Sequence, residues 1–153
     1  MQVLILGIGN ILMGDEGVGS HVAQYLSTKK LLPGIECIDG GTGGFHLLGL
    51  MQERKKIILI DATVDGKKSG TITKLKPRFS SDYPRTLTAH DIGLKDLLDS
   101  FYLIGTIPDI TLFAISIEHP AQATTELSQN IKDIIPEIAE NVLLEAYNFM
   151  KEL

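Results

Sequence analysis

The sequence predicts an α/β fold built on a mostly parallel sheet, and two observations carry that prediction. Three short apolar runs alternate with stretches of helical spacing between residues 2 and 61, each run ending in glycine or acid punctuation. Strands alternating with helices imply β-α-β units with right-handed crossovers. The third run, Lys56-Ile57-Ile58-Leu59-Ile60-Asp61, is continuously apolar between its two charged ends, which marks a strand buried on both faces.

The elements follow in order. Gln2–Leu6 is the first strand. Gly7-Ile8-Gly9-Asn10-Ile11-Leu12-Met13-Gly14-Asp15-Glu16-Gly17-Val18-Gly19 is a glycine-rich strand-to-helix turn with two acids at the helix mouth. Glycine permits tight turns and close approach of other chain. The first helix is expected from about Glu16 to Lys29, stopping before Pro33-Gly34. Gly34–Asp39 forms the second strand, followed by a second glycine loop, Gly40–Gly44. Phe45, Leu47, Leu48, Leu50 and Met51 mark a second helix that closes near Gln52–Arg54. After the third strand the pattern breaks. Asp65–Gly70 is a turn, and Thr71–Leu75 alternates like a half-exposed strand. The link back is too short for a helical crossover, so this strand is expected antiparallel to the third. Pro77–Arg85 reads as a loop. Thr88 caps a third helix with an apolar face of Leu94, Leu97, Leu98, Phe101 and Tyr102. Asp109–Ile117 is the fifth strand, stopped by Glu118-His119-Pro120. The rest is helical from about Gln122 to Lys151, with Pro136 dividing it or opening its second half.

At 153 residues the chain is expected to form a single domain, 1–153, with a sizeable core. A net charge of −5 provides no electrostatic footprint for nucleic acid. The lone Cys37 excludes an intrachain disulfide and a multi-cysteine zinc site, and its apolar surroundings predict a buried, inert thiol. No apolar run reaches the ~18 residues of a membrane span, and no signal peptide is recognisable, so the expected location is cytoplasmic.

In open α/β sheets, sites form beyond the carboxyl ends of the strands. The polar residues placed there are Asn10, Asp15 and Glu16 after the first strand, Asp39 after the second, Asp61 at the end of the third, and Glu118 and His119 after the fifth. The loop before His90 is long enough to return it to the same edge. Adjacent strands lie ~4.8 Å apart, so adjacent first and third strands could place carboxylates in one coordination sphere. Glu16, Asp61 and His90 would then offer two oxygens and one nitrogen, a set suited to a borderline divalent ion such as zinc, nickel or iron. Each has a plainer alternative. Acids at a helix mouth are favoured by its dipole, an acid ending a strand binds loop amides, and a histidine can simply start a helix. His21 and His46 on helix bodies, and His119 before a proline, read as surface or packing residues.

A nucleotide-binding enzyme is the chief rival. Gly7 and Gly9 fit G-x-G-x-x-G, and Asp39 is placed for a ribose, but Leu12 takes the third glycine position. Asp15 and Glu16 would repel a pyrophosphate. His-Glu-x-x-His, Gly-x-Ser-x-Gly and a P-loop lysine are all absent.

Taken together, the motifs resemble those of the hydrogenase maturation endopeptidases. Gly7-Ile8-Gly9-Asn10-Ile11-Leu12, Asp15-Glu16-Gly17-Val18-Gly19, Asp39-Gly40-Gly41-Thr42, Asp61-Ala62 and His90 with the following Leu94 occur in the family's order. The resemblance spans nearly the whole chain and is specific through its ordered set, not through any single motif. It implies a three-layer α/β/α sandwich around a five-stranded sheet with one antiparallel strand. It also implies an aspartyl-type endopeptidase that removes the C-terminal extension of a nickel-iron hydrogenase large-subunit precursor after nickel insertion. Glu16, Asp61 and His90 would be the metal-binding and catalytic trio, and Asp39, Gly40, Gly41 and Thr42 the substrate-recognition loop. Nickel would come with the substrate, and no organic cofactor is expected. A non-catalytic chaperone that only grips the large subunit is a further alternative. Glu118 and His119 match no family motif.

Overall fold

The computed structural model describes residues 2–42, 46–77, 82, 99–101, 103–105, 108–118 and 123–153. Five strands form one sheet: β1 (Val3–Ile8), β2 (Ile35–Gly41), β3 (Lys56–Thr63), β4 (Ile72–Leu75) and β5 (Asp109–Ser116). Their spatial order is β2-β1-β3-β5-β4; all neighbours are parallel except β4 against β5. The expected fold class therefore holds, with one adjustment. β4 runs opposite to β3 but does not pair with it, because β5 lies between them. The residues explain the order. Every residue of β3 is buried, so it needs neighbours on both sides, whereas β4 is short and carries the exposed Lys74, which suits an edge.

Alternation along the buried strands splits the core in two. Val3, Ile5, Ile58, Ile60, Phe113 and Ile115 face the helices α1 (Val18–Ser27) and α3 (Gln129–Lys151). Leu4, Leu6, Ile57, Leu59, Leu112 and Ala114 face the other way, against Leu47 and Met51 of α2 (His46–Met51) and against Phe101. Residues 99–101 and 103–104 are helical. The start predicted for that helix at Thr88, its residues up to Leu98, and Tyr102 lie outside the described residues.

Three boundaries differ from expectation. α1 begins at Val18, because Gly14–Gly17 forms a separate single 3-10 turn. β3 continues to Thr63, because its ladder with β5 outlasts its ladder with β1. α3 begins at Gln129 instead of near Gln122, and Pro136 neither divides nor opens it. Residues 123–128 are tied instead to the turn after β1: Gly14 N–H donates to Thr124 O at 2.8 Å, and Thr124 N–H to Leu12 O at 2.9 Å. No helix among the described residues is long and apolar enough to cross a membrane.

Candidate functional site

The crevice forms where the chain order reverses. From β1 the chain passes to β2 on one side, and from β3 it passes to the edge strand β4 on the other before returning to β5. Such a switch point opens a cleft at the carboxyl edge, because the two connections leave in opposite directions. The β1–β3 ladder ends at Gly7↔Ile60, while β3 continues beside β5 through Asp61↔Ala114 and Thr63↔Ser116. Asp61 is therefore the first residue of β3 beyond its last partner on β1. It is fully buried, and its Oδ1 accepts the Ala62 N–H at 2.8 Å.

Glu16 reaches the same edge from the other strand. The turn that carries it packs on β3, and Glu16 is only 3% exposed. Four glycines make this approach possible. A Cβ on Gly7 would meet Gly19 O, one on Gly9 would stand 2.5 Å from Glu16 O, and one on Gly17 would stand 2.8 Å from Ile11 Cα. A Cβ on Gly19 would strike the carbonyl oxygens of Ile8 and Ile60. None of these four has positive φ, so close packing and not unusual dihedrals is what requires glycine there. The same contacts weigh against the dinucleotide alternative. The backbone approach that such a loop reserves for a pyrophosphate is filled here by the chain's own turn.

The second glycine loop flanks this edge. Gly9 N–H donates to Gly41 O at 2.9 Å, and the β1–β2 register shifts so that Ile8 pairs with Gly41. Asp39 is exposed; its Oδ1 accepts the Gly41 N–H at 3.0 Å and its Oδ2 accepts from Gln24 Nε2 at 3.0 Å. Gly41 takes φ 55°, a left-handed turn that places the exposed Thr42 at the rim. The structure thus brings Glu16, Asp61 and the Asp39–Thr42 loop to one edge of the sheet. His90 lies outside the described residues, as does His119, while Glu118 is exposed. Among the described residues, no three His, Cys, Asp or Glu side chains are grouped closely enough to hold a metal ion. A two-carboxylate set completed by an imidazole would suit a borderline ion.

The remaining candidates fill other roles. His21, on α1, lines a cavity of about 310 Å³ against α3, and burial lowers its pKa despite the nearby Asp39 and Asp15 carboxylates. Cys37 is half-buried instead of fully buried. Its Sγ lies 3.7 Å from Ala23 O, and burial, with Asp39 adding to it, pushes its pKa up to about 12, so the thiol stays protonated and inert. Asp15, which the sequence places at the helix mouth beside Glu16, binds Ser128 at the start of α3. Nothing local could have revealed that pairing, since the two are 113 residues apart. The one available signal is Ser128 itself, a preferred N-cap residue ahead of a helical run.

Comparison with known proteins agrees with this architecture. The family model described as hydrogenase maturation protease matches residues 20–145. The hydrogenase 2 maturation protease of Escherichia coli is 33% identical over 147 residues, covering 94% of this chain and 89% of that protein. The hydrogenase expression/formation protein HupD of Rhodobacter capsulatus is 32% identical over 113 residues, and the match spans 52% of its length. Among solved structures, the hydrogenase maturating endopeptidase HybD of Escherichia coli superposes with a TM-score of 0.87 at 31% identity, covering 97% of this chain and 93% of that one. This chain therefore belongs to the hydrogenase maturation protease family and is a peptide-bond hydrolase.

Proposed function

We propose that this protein removes the C-terminal extension of a nickel-iron hydrogenase large-subunit precursor once nickel has been inserted, and that it does so in the cytoplasm. The observation that supports this most is the placement of two buried carboxylates, Glu16 and Asp61, on touching elements at the switch-point crevice. Glu16, Asp61 and His90 serve as ligands for the nickel that the substrate brings. The loaded precursor then forms bonds that the empty one cannot, which gives specificity through differential affinity. The substrate's nickel then polarises the scissile carbonyl or activates the attacking water, or alternatively Asp61 or Glu16 acts as the general base. Asp39, Gly40, Gly41 and Thr42 line the approach and contact the precursor backbone through their glycine-opened loop.

The test is cleavage of nickel-loaded and nickel-free precursor by the unaltered protein and by Glu16→Gln, Asp61→Asn and His90→Ala, followed by mass spectrometry. Each variant is expected to lose at least a hundredfold in rate on loaded precursor. Full activity in all three would remove the site. Equal cleavage of both precursors by the unaltered protein would remove nickel sensing, and precursor binding with no change in mass would favour a chaperone.

A further inference from the structure

We propose that Asp15 and Ser128 form a clamp that positions Glu16, so that the start of the C-terminal helix sets the geometry of the nickel-sensing carboxylate. This rests on the reading of Glu16 as a ligand for substrate nickel. The turn that carries Glu16 is a single 3-10 turn with no side-chain cap, and its internal Glu16 N–H to Met13 O bond is long, at 3.2 Å. Short 3-10 turns have poor hydrogen-bond geometry and need outside support. On its carboxyl side, Gly17 and Gly19 pack against neighbouring backbone. On its amino side, the support comes from residues 124–128.

Both Asp15 oxygens are used. Oδ1 accepts the Ser128 N–H at 2.8 Å, and Oδ2 accepts from Ser128 Oγ at 2.7 Å. Ser128 Oγ also lies 2.7 Å from Asn130 Oδ1, but a hydroxyl has one proton, and the charged carboxylate is the stronger acceptor. The contact places a negative charge at the N-terminus of the 23-residue α3, where the helix dipole favours it. The Gly14–Thr124 and Thr124–Leu12 backbone bonds hold the preceding residues in the same direction. Glu16 is thus fixed from both sides, which a ligand needs if it is to meet an incoming metal centre without rearranging.

The experiment measures binding of nickel-loaded and nickel-free precursor to the full-length protein and to Asp15→Ala, Ser128→Ala, Ser128→Thr and Glu16→Gln, each checked for an intact thermal transition. Ser128→Ala is expected to reduce the preference for loaded precursor at least fivefold, with nickel-free binding unchanged. Ser128→Thr, which keeps the hydroxyl, should restore the preference to within twofold. The double variant Asp15→Ala/Ser128→Ala should be no worse than Asp15→Ala alone, because the hydroxyl bond that Ser128→Ala removes is one of the two that Asp15→Ala already removes. A general loss of structure would weaken both precursors alike, and that result would overturn the proposal. If Glu16→Gln loses the preference while Ser128→Ala and Asp15→Ala keep it, the clamp is wrong and the Glu16 reading survives. If Glu16→Gln matches the unaltered protein, the underlying reading fails and the clamp falls with it. Should Asp15→Ala not fold, the exposed Ser128 decides the matter alone.

Discussion

Replacing Glu145 with glutamine should destabilise this protein in a pH-dependent way while leaving its crevice intact. Glu145, on α3, lies at the amino end of the sheet, opposite the crevice. Its Oε1 accepts from Lys56 Nζ at 3.1 Å and from Thr111 Oγ1 at 3.0 Å, and its Oε2 accepts from Lys74 Nζ at 2.9 Å. Lys76 Nζ stands 3.4 Å away, and Lys56 also donates to Asp109 at 3.1 Å. Burial pushes the Glu145 carboxyl up, but the bonds from Lys74, Lys56 and Thr111, with the Lys56 charge, outweigh it and bring the pKa from 4.5 down to about 2. At about 1.4 kcal/mol per unit, the ceiling is about 3 kcal/mol. Lys56 is buried, but the Lys74 and Lys76 side chains are 50% and 60% exposed, so screening reduces this to about 2 kcal/mol.

A depressed carboxyl pKa contributes fully above the unfolded value and is lost as pH falls from 4.5 towards 2. Glu145→Gln should therefore cost about 3 kcal/mol at pH 7, slightly more than the carboxylate's own contribution, because the buried Lys56 keeps Asp109 alone as a charged partner among the described residues. The gap should narrow by roughly 1 kcal/mol at pH 3. Urea denaturation of both proteins at the two pH values measures it. A gap that stays constant from pH 7 to pH 3 would refute the reasoning, because it would mean that the carboxylate is not held ionised by its neighbours.

Three further outcomes follow from backbone geometry. Gly19→Ala should cost at least ~2–3 kcal/mol or prevent soluble expression, since its Cβ meets rigid carbonyls of two strands. By contrast, Gly49→Ala, with open space around it in α2, should stabilise by about 0.5–1 kcal/mol; thermal melts compare the pair, and equal effects would discount the packing argument. Pro136→Ala should raise stability by about 1–3 kcal/mol in urea titrations, because the exposed proline lacks an N–H inside an otherwise regular helix and alanine restores one; a loss of stability would show that the ring's contacts matter more.

Much of this protein is written locally along its chain. The strands around Ile5, Ile58 and Phe113 are legible because a strand buried on both faces is apolar through its centre, and the glycine turns are legible because only glycine allows such close contact. The edge position of Glu16 follows from the same pattern, since a strand-to-helix turn in a parallel sheet must open at its carboxyl end. What the sequence could not supply is partnership across distance. Whether β3 or β5 pairs with β4 depends on which strand has an uncovered side once the sheet has assembled. How far β3 runs depends on its ladder with β5, and Asp61 lies at the crevice instead of at a strand terminus because β1 stops pairing at Ile60. Asp15 and Ser128, like Lys56 and Glu145, become partners only when α3 lies across the sheet. Hydrogen bonds and ion pairs act over a few ångströms of space, and only the folded chain sets those distances.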